Sequence, residues 1–251
     1  MTTGPVALTI AGSDPSGGAG IQADLRTFAA FGVHGASVVT ALTAQDTRRV
    51  RAIAEVTPAF VAQQLDAVLD DFEVRAAKTG MLHRAPVIDV VVARLHTRPL
   101  PHLVVDPVMV ATSGDPLLEP EGIAALRERL LPLATLVTPN LHEAEVLTGR
   151  AVTTVAEMRE AARALVALGA RAALVKGGHL AGDAVDVLYD GRAFRELGAP
   201  RREGRRLHGT GCVLSAAITA GLARGSDLAE AVAEAKRFVT LAIETTPAGE
   251  Y

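Results

Sequence analysis

Short, nearly unbroken apolar runs alternate with longer amphipathic segments along this chain, and that rhythm predicts its architecture. Val6 to Ala11, Leu103 to Val105, Leu136 to Val137 and Ala172 to Val175 have the length and composition of strands buried on both faces, the mark of a parallel sheet, and Val38 to Leu42 is a further apolar run of strand length. Between them, apolar residues recur at helical spacing: Ile21, Leu25 and Phe28, then Val61, Leu65, Val68 and Leu69, then Val87, Val91 and Leu95, then Ile123, Leu126 and Leu130. Each stripe predicts a helix packed by one face on the sheet. Strand and helix in alternation require right-handed crossovers, so the predicted fold class is α/β, doubly wound, with helices on both faces of a mostly parallel sheet. Asp190-Gly191 separates Val185 to Tyr189 from Arg192 to Leu197, which predicts an antiparallel hairpin at a sheet edge. A helix after Cys212 and another from about Leu228 to Ile243 close the pattern.

Composition narrows the function classes. A chain of 251 residues without a linker-like stretch is expected to form one domain, 1–251. Hydrophobic residues make up 49%, charged residues 21%, and the net charge is −3, which argues against disorder and against a basic nucleic-acid surface. The chain has no tryptophan and two tyrosines, too few for a platform that stacks single-stranded bases. Its one cysteine has no partner for an intramolecular disulfide, and the start MTTGPVALTIAG lacks the basic, then apolar pattern of a secretory signal. No apolar run approaches the roughly 20 residues of a bilayer span. A cytoplasmic protein without membrane or nucleic-acid partners is expected.

In open α/β sheets, ligands collect beyond the carboxyl ends of the strands. Candidate chemistry is therefore sought directly after each apolar run. His208 to Cys212, HGTGC, opens into the apolar run Val213 to Leu222. A glycine-bracketed turn at a helix start presents unpaired N–H groups and a positive dipole end, so Gly209, Thr210, Gly211 and Cys212 form a candidate anion cradle. At that position a thiol is expected to be pushed towards thiolate. A tight connection in a packed domain gives the same pattern.

Gly12 to Gly20, GSDPSGGAG, is glycine-dense but has neither the Lys-Ser/Thr ending of a P-loop nor G-x-G-x-x-G spacing. It reads as a backbone-rich wall closing on a small substrate, with Asp24 just inside the following helix, or as an ordinary strand-to-helix turn. Asn140 and Glu143 lie three apart at a predicted helix start, which suits a hydrated magnesium ion and equally a capping box. Asp106 in DPVM ends a buried strand, where a charge calls for a cation or donor. Lys176 in KGGH leaves another strand, placed to neutralise phosphates or to snorkel to the surface. Gln45 offers both a donor and an acceptor to a heterocycle edge, and Met81 in KTGML offers an apolar surface to a flat ring or to the core. Arg201, Arg202, Arg205 and Arg206 form a basic loop. The histidines show no metal spacing, and no G-x-S-x-G elbow is present.

Taken in order, AGSDPSGGAGIQAD, ALTAQDT, KTGML, VVDPVM, SGDPLL, TPNLHEAE, VKGGH and HGTGC closely resemble the bacterial hydroxymethylpyrimidine and phosphomethylpyrimidine kinases of thiamine biosynthesis, within the ribokinase-like superfamily. The likeness runs from about Val6 to Ile243 and includes cysteine where many superfamily members have aspartate in GTGD. It implies ATP-dependent phosphorylation of 4-amino-5-hydroxymethyl-2-methylpyrimidine, then of its monophosphate to the diphosphate, with magnesium as the ion and a homodimer as the assembly. Carried over, Gln45 reads the pyrimidine edge, while Gly12, Ala19 and Met81, with Asp24 nearby, line the substrate pocket. Gly209 to Cys212 form the anion hole with Cys212 in the place of a catalytic base. Asp106 and Glu143 organise magnesium, Lys176 and Asn140 meet the nucleotide, and Ser113 to Leu118 belong to a mobile flap. Two departures stand out: the sequence ends at Tyr251 without the longer glycine-containing tail of many members, and Asp46 replaces the asparagine common after Gln45. A pyridoxal kinase of the same fold and a non-catalytic pyrimidine-binding regulator are the alternatives.

Overall fold

The structure, a computed structural model, describes residues 4–46, 48–111, 113–178, 184–199 and 209–245. The apolar runs become the strands of one nine-stranded sheet. In chain order these are β1 (Val6–Ser13), β2 (His34–Gln45), β3 (Val50–Glu55), β4 (Val74–Thr79), β5 (His102–Val105), β6 (Leu136–Val137), β7 (Ala173–Val175), β8 (Ala184–Tyr189) and β9 (Phe194–Ala199). Across the sheet the order is β3-β2-β1-β4-β5-β6-β7-β8-β9. The strands from β2 to β7 are mutually parallel, whereas β3, β8 and β9 join antiparallel.

Alternation along each strand sorts the core into two layers. Val6, Leu8 and Ile10 of β1, with Leu103 and Val105 of β5, face one layer; there they meet α2 (Pro58–Asp71), α3 (Ala85–Thr97), α5 (Leu141–Thr148) and α6 (Val155–Ala167). Ala7 and Val104 point the other way, to α1 (Gly20–Ala30), α7 (Thr210–Ala223) and α8 (Leu228–Thr245). A remaining helix, α4, spans Pro120–Ala125. Every residue of α7 from Leu214 to Ala223 is buried, because this helix lies against β1, β4 and β5 while α1 and α8 cover it.

The doubly wound, mostly parallel sheet with helices on both faces is as predicted, with two corrections at its edges. The hairpin of β8 and β9 turns over four residues, not two, because the Asp190 carboxylate accepts from the amides of Arg192 and Ala193 and draws both into the turn. At the opposite edge β2 runs on to Gln45, and β3 folds back on it as a second antiparallel strand. Asp46 holds that turn: its carboxylate accepts from the amides of Arg48 and Arg49 and from the Arg51 guanidinium, which together keep it at about 2.

From β1 the chain moves outward to β2 and β3, then returns past β1 to β4 and continues the other way to β5. The reversal opens a crevice between the carboxyl ends of β1 and β4, where doubly wound sheets bind ligands.

Candidate active site

Asp14 organises the loop after β1. One of its carboxylate oxygens accepts from the Ser16 amide (2.9 Å) and the other from the Ser16 hydroxyl and the Ala19 amide (both 2.9 Å). The loop is thereby curled so that the Gly18 carbonyl comes against Gly209, the N-cap of α7. Asp14 is buried, and sequence reading passed it over; its signal was an Asx-type turn residue, Asp-Pro-Ser-Gly, ahead of a helix.

At Gly209 φ is +81°, a left-handed conformation that favours glycine. The Val213 amide bonds the Gly209 carbonyl, while the preceding amides of Thr210, Gly211 and Cys212 belong to the first turn, which has no intrahelical acceptors. Opposite, the amide of Gly20 at the start of α1 is turned to the Cys212 thiol and favours its ionised form. Two helix N-termini thus converge on one spot, and their dipoles favour an anion there. The thiol itself does not follow the sequence expectation. Burial is the largest influence on it and pushes it up to about 12; Asp106 and Asp24 add to the rise, while Lys78 and the Gly20 amide oppose it. The correction has a simple cause, since loss of solvent outweighs the helix dipole at this depth.

Lys176, just past β7, brings the second half of the site. A Cβ on Gly211 would lie 3.2 Å from its ammonium nitrogen, and that nitrogen bonds Asp106 Oδ1 at 3.1 Å. Asp106 also accepts from Thr138 (3.4 Å) and, through Oδ2, from Ser215 of α7 (3.0 Å). Burial would raise Asp106, but Lys176 and Lys78 hold it below the usual carboxylate range. Asn140 and Glu143 form the capping box at the start of α5: the Glu143 amide donates to Asn140 Oδ1 (2.9 Å) and the Asn140 amide to Glu143 Oε2 (2.8 Å). The Glu143 carboxyl is nevertheless buried beside Lys176 and Asp106, and burial pushes it to about 7. The Lys176 backbone pairs with Asn140 through a short parallel bridge, and its side chain is 14% exposed and bound to Asp106, so the snorkelling alternative does not hold.

In the crevice between β1 and β4, a Cβ on Gly12 would stand 3.0 Å from the Met81 sulfur. Met81 packs with Ala41 and Leu117 in a small apolar cluster, so one side chain serves both the wall and the core. Gln45, half-buried, ends β2 on the same side and accepts from Thr43 (3.2 Å). The segment holding Ser113 to Leu118 turns back on itself and is tied to β3, the Val50 amide donating to Asp115 Oδ2 at 2.9 Å. Asp24 departs from its expected place in the pocket wall: it is wholly buried, one oxygen accepting from Lys78 (2.8 Å) and Thr9 (2.6 Å). A cavity of about 190 Å³ bounded by Thr40, Glu55, Pro58, His83 and Arg84 lies elsewhere, and none of the residues above lines it. The basic loop Arg201 to Arg206, His179 and His208 lie outside the described residues.

No group of three or more histidine, cysteine or acidic side chains able to hold a metal occurs among the described residues. Asp106 and Glu143 still suit magnesium, which keeps several waters and needs only one or two protein carboxylates alongside phosphate oxygens.

Comparison with known proteins agrees with this geometry. The family model described as phosphomethylpyrimidine kinase matches residues 14–250. The hydroxymethylpyrimidine/phosphomethylpyrimidine kinase of Rhizobium meliloti is 55% identical over 95% of this chain and 90% of its own length. The thiamine biosynthesis bifunctional protein ThiED of Geobacter sulfurreducens is 54% identical over 94% of this chain, which spans 48% of that longer protein. Among solved structures, the ADP complex of Bacillus subtilis pyridoxal kinase superposes with a TM-score of 0.91 at 41% identity, covering 99% of this chain and 95% of that one. With its converging helix starts, its crevice at the strand reversal and a family match over almost its whole length, the chain belongs to the phosphomethylpyrimidine kinase family.

Proposed function

We propose that this chain, as a single domain, transfers the terminal phosphoryl group of ATP to 4-amino-5-hydroxymethyl-2-methylpyrimidine and then to its monophosphate, in thiamine biosynthesis. The observation that carries the reading is the meeting of the α7 start with the Asp14-curled loop on one side and the Lys176–Asp106–Glu143 cluster on the other. Anion cradle, phosphate-level cation and carboxylates stand beside a crevice with an apolar wall.

In this reading Gln45 pairs with the pyrimidine edge while Gly12, Ala19 and Met81 bound the ring. The hydroxymethyl oxygen attacks the γ-phosphorus, the bond from that phosphorus to the bridging oxygen breaks, and ADP departs with the electron pair. Phosphoryl transfer of this kind passes through a loose transition state, so positioning and charge neutralisation outweigh proton abstraction. The amides of Thr210, Gly211 and Cys212 receive the charge of the transferred group, and Lys176 with Asn140 faces the nucleotide. Asp106 and Glu143 would hold magnesium, which when bound with nucleotide neutralises phosphate charge. A thiol raised to about 12 keeps its proton at neutral pH and in that form accepts no other; only the minor thiolate fraction can take the hydroxymethyl proton, so Cys212 assists the cradle and does not replace it.

A cytoplasmic homodimer is part of the proposal. No helix among the described residues is long and apolar enough to cross a membrane. The likeness to a pyridoxal kinase keeps pyridoxal as the second substrate to test. A phosphate-transfer assay with the pyrimidine, its monophosphate and pyridoxal separates the readings: turnover with both pyrimidines supports the proposal, turnover with pyridoxal alone replaces it, and binding without transfer identifies a regulator.

A further inference from the structure

Lys78, on β4, is wholly buried, and so is its partner Asp24 on α1. An ion pair with no solvent contact is a poor way to gain stability, because desolvating both charges roughly cancels their attraction and apolar residues fill such space as well or better. Its placement gives it a different use. The Lys78 nitrogen reaches the level of the strand ends, where a Cβ on Gly80 would lie 3.3 Å from it, and α7 packs directly on β4. Asp24 Oδ2 accepts from both the Lys78 ammonium (2.8 Å) and the Thr9 hydroxyl (2.6 Å). Two hydrogen bonds to one oxygen fix the direction of the ammonium, while burial raises the Asp24 carboxyl against the pull of Lys78.

We propose that Lys78 is a positioning residue of the phosphoryl-transfer site, whose buried ammonium, aimed by Asp24 and Thr9, supplies positive charge to the floor of the anion cradle at Cys212. The charged and polar groups close enough to act on Cys212 are Lys78 of β4, Lys176 just past β7, Asp106 just past β5, and Asp24 with the Gly20 amide of α1. Burial works against the Lys78 charge, but Asp24, then Cys212 and Asp106, more than offset it and keep the side chain protonated. Charge on the cradle floor therefore persists across the working pH range, and it sits where negative charge gathers during transfer.

Because Cys212 is the chain's single cysteine, the rate of its alkylation by iodoacetamide reads the local field without reference to any substrate. This readout stands apart from the kinase reading on which the catalytic role rests. At about pH 8, Lys78→Met is expected to slow alkylation about tenfold, the effect of roughly one pKa unit. Asp24→Asn, which keeps the shape but removes the opposing charge, is expected to speed it severalfold. Opposite shifts in the two variants support the proposal, whereas equal rates or slowing in both reduce Lys78 and Asp24 to a structural pair. If Lys78→Met does not fold, Asp24→Asn decides alone: faster alkylation supports, unchanged or slower alkylation overturns. In turnover, Lys78→Met should lose about tenfold in kcat while KM for ATP and pyrimidine moves less than about threefold; a change confined to KM would instead make Lys78 a binding residue.

Discussion

The carbonyl oxygen of Gly18 occupies the space that a side chain on Gly209 would need: a Cβ there would stand 1.9 Å from it. This contact seats the glycine-rich loop on the start of α7, and it tolerates no β-carbon at a residue whose φ is already +81°. Gly209→Ala combines a left-handed penalty of roughly 1 kcal/mol with a displacement of the cradle. Turnover should fall by about 10²-fold or more, the usual loss when transition-state donors move, while the melting temperature drops only a few degrees. Steady-state kinetics beside a thermal melt checks this, and near-wild-type turnover would mean that the cradle does not receive the transferred group.

Glu143 gives a pH signature that needs no ligand. Its carboxyl ionises at about 7 in the folded protein, against an ordinary value of 4.5, because burial disfavours the charge. A group raised on folding contributes stability that is complete below its unfolded value and is lost as pH rises through its folded value. In metal-free protein the wild type should therefore lose stability relative to Glu143→Gln as pH climbs from about 4.5 to 8, by on the order of 3 kcal/mol at the upper end. Melting curves of both proteins across that range test it, and parallel curves would show that the carboxyl is not perturbed. With magnesium and nucleotide, the same variant should need more metal for half-maximal turnover, since glutamine keeps the cap but not the charge.

What was legible in the sequence was whatever had a local cause. The apolar runs that became β1, β5, β6 and β7 mark themselves by burial on both faces, and the start of α7 by glycines that its backbone demands. The edge strand β3 escaped because Val50 to Glu55 has no fully buried position, only Val50 and Ile53 half-covered beside Met81, and so a weak apolar signal; it exists through pairing with β2. Asp24 was misplaced for a related reason: nothing within its own helix reveals Lys78, which lies 54 residues away. The thiol of Cys212 was misjudged because a helix start is visible in a sequence, whereas the burial that outweighs it is not.

Gln45 is where substrate choice should reside. It closes β2 beside the Gly12–Met81 wall, and its amide offers one donor face and one acceptor to an aminopyrimidine edge. Gln45→Ala should weaken pyrimidine binding by about 1–3 kcal/mol and leave ATP affinity within about twofold. Calorimetric titrations of each ligand decide it; equal losses for both would move Gln45 out of the substrate pocket and into a general structural role.

Cys212→Ala separates the cradle from its thiol. The substitution keeps the amides of Thr210, Gly211 and residue 212 in place and removes only the sulfur. Because the thiol is held protonated by burial well above neutral pH, most of the transition-state stabilisation should come from donors that survive the change. Loss of a general base typically lowers rates by about 10² to 10⁴-fold, and the expected loss here is near the lower bound, with catalysis still measurable. Single-turnover rates at saturating ATP and pyrimidine, followed from about pH 6 to 10, give the test. If the thiolate accepts the proton, wild-type rates should climb with pH as its fraction grows, and the alanine variant should stay flat. Identical profiles would remove Cys212 from the chemistry and leave the backbone amides of the α7 start, together with Lys176, as the groups that carry it.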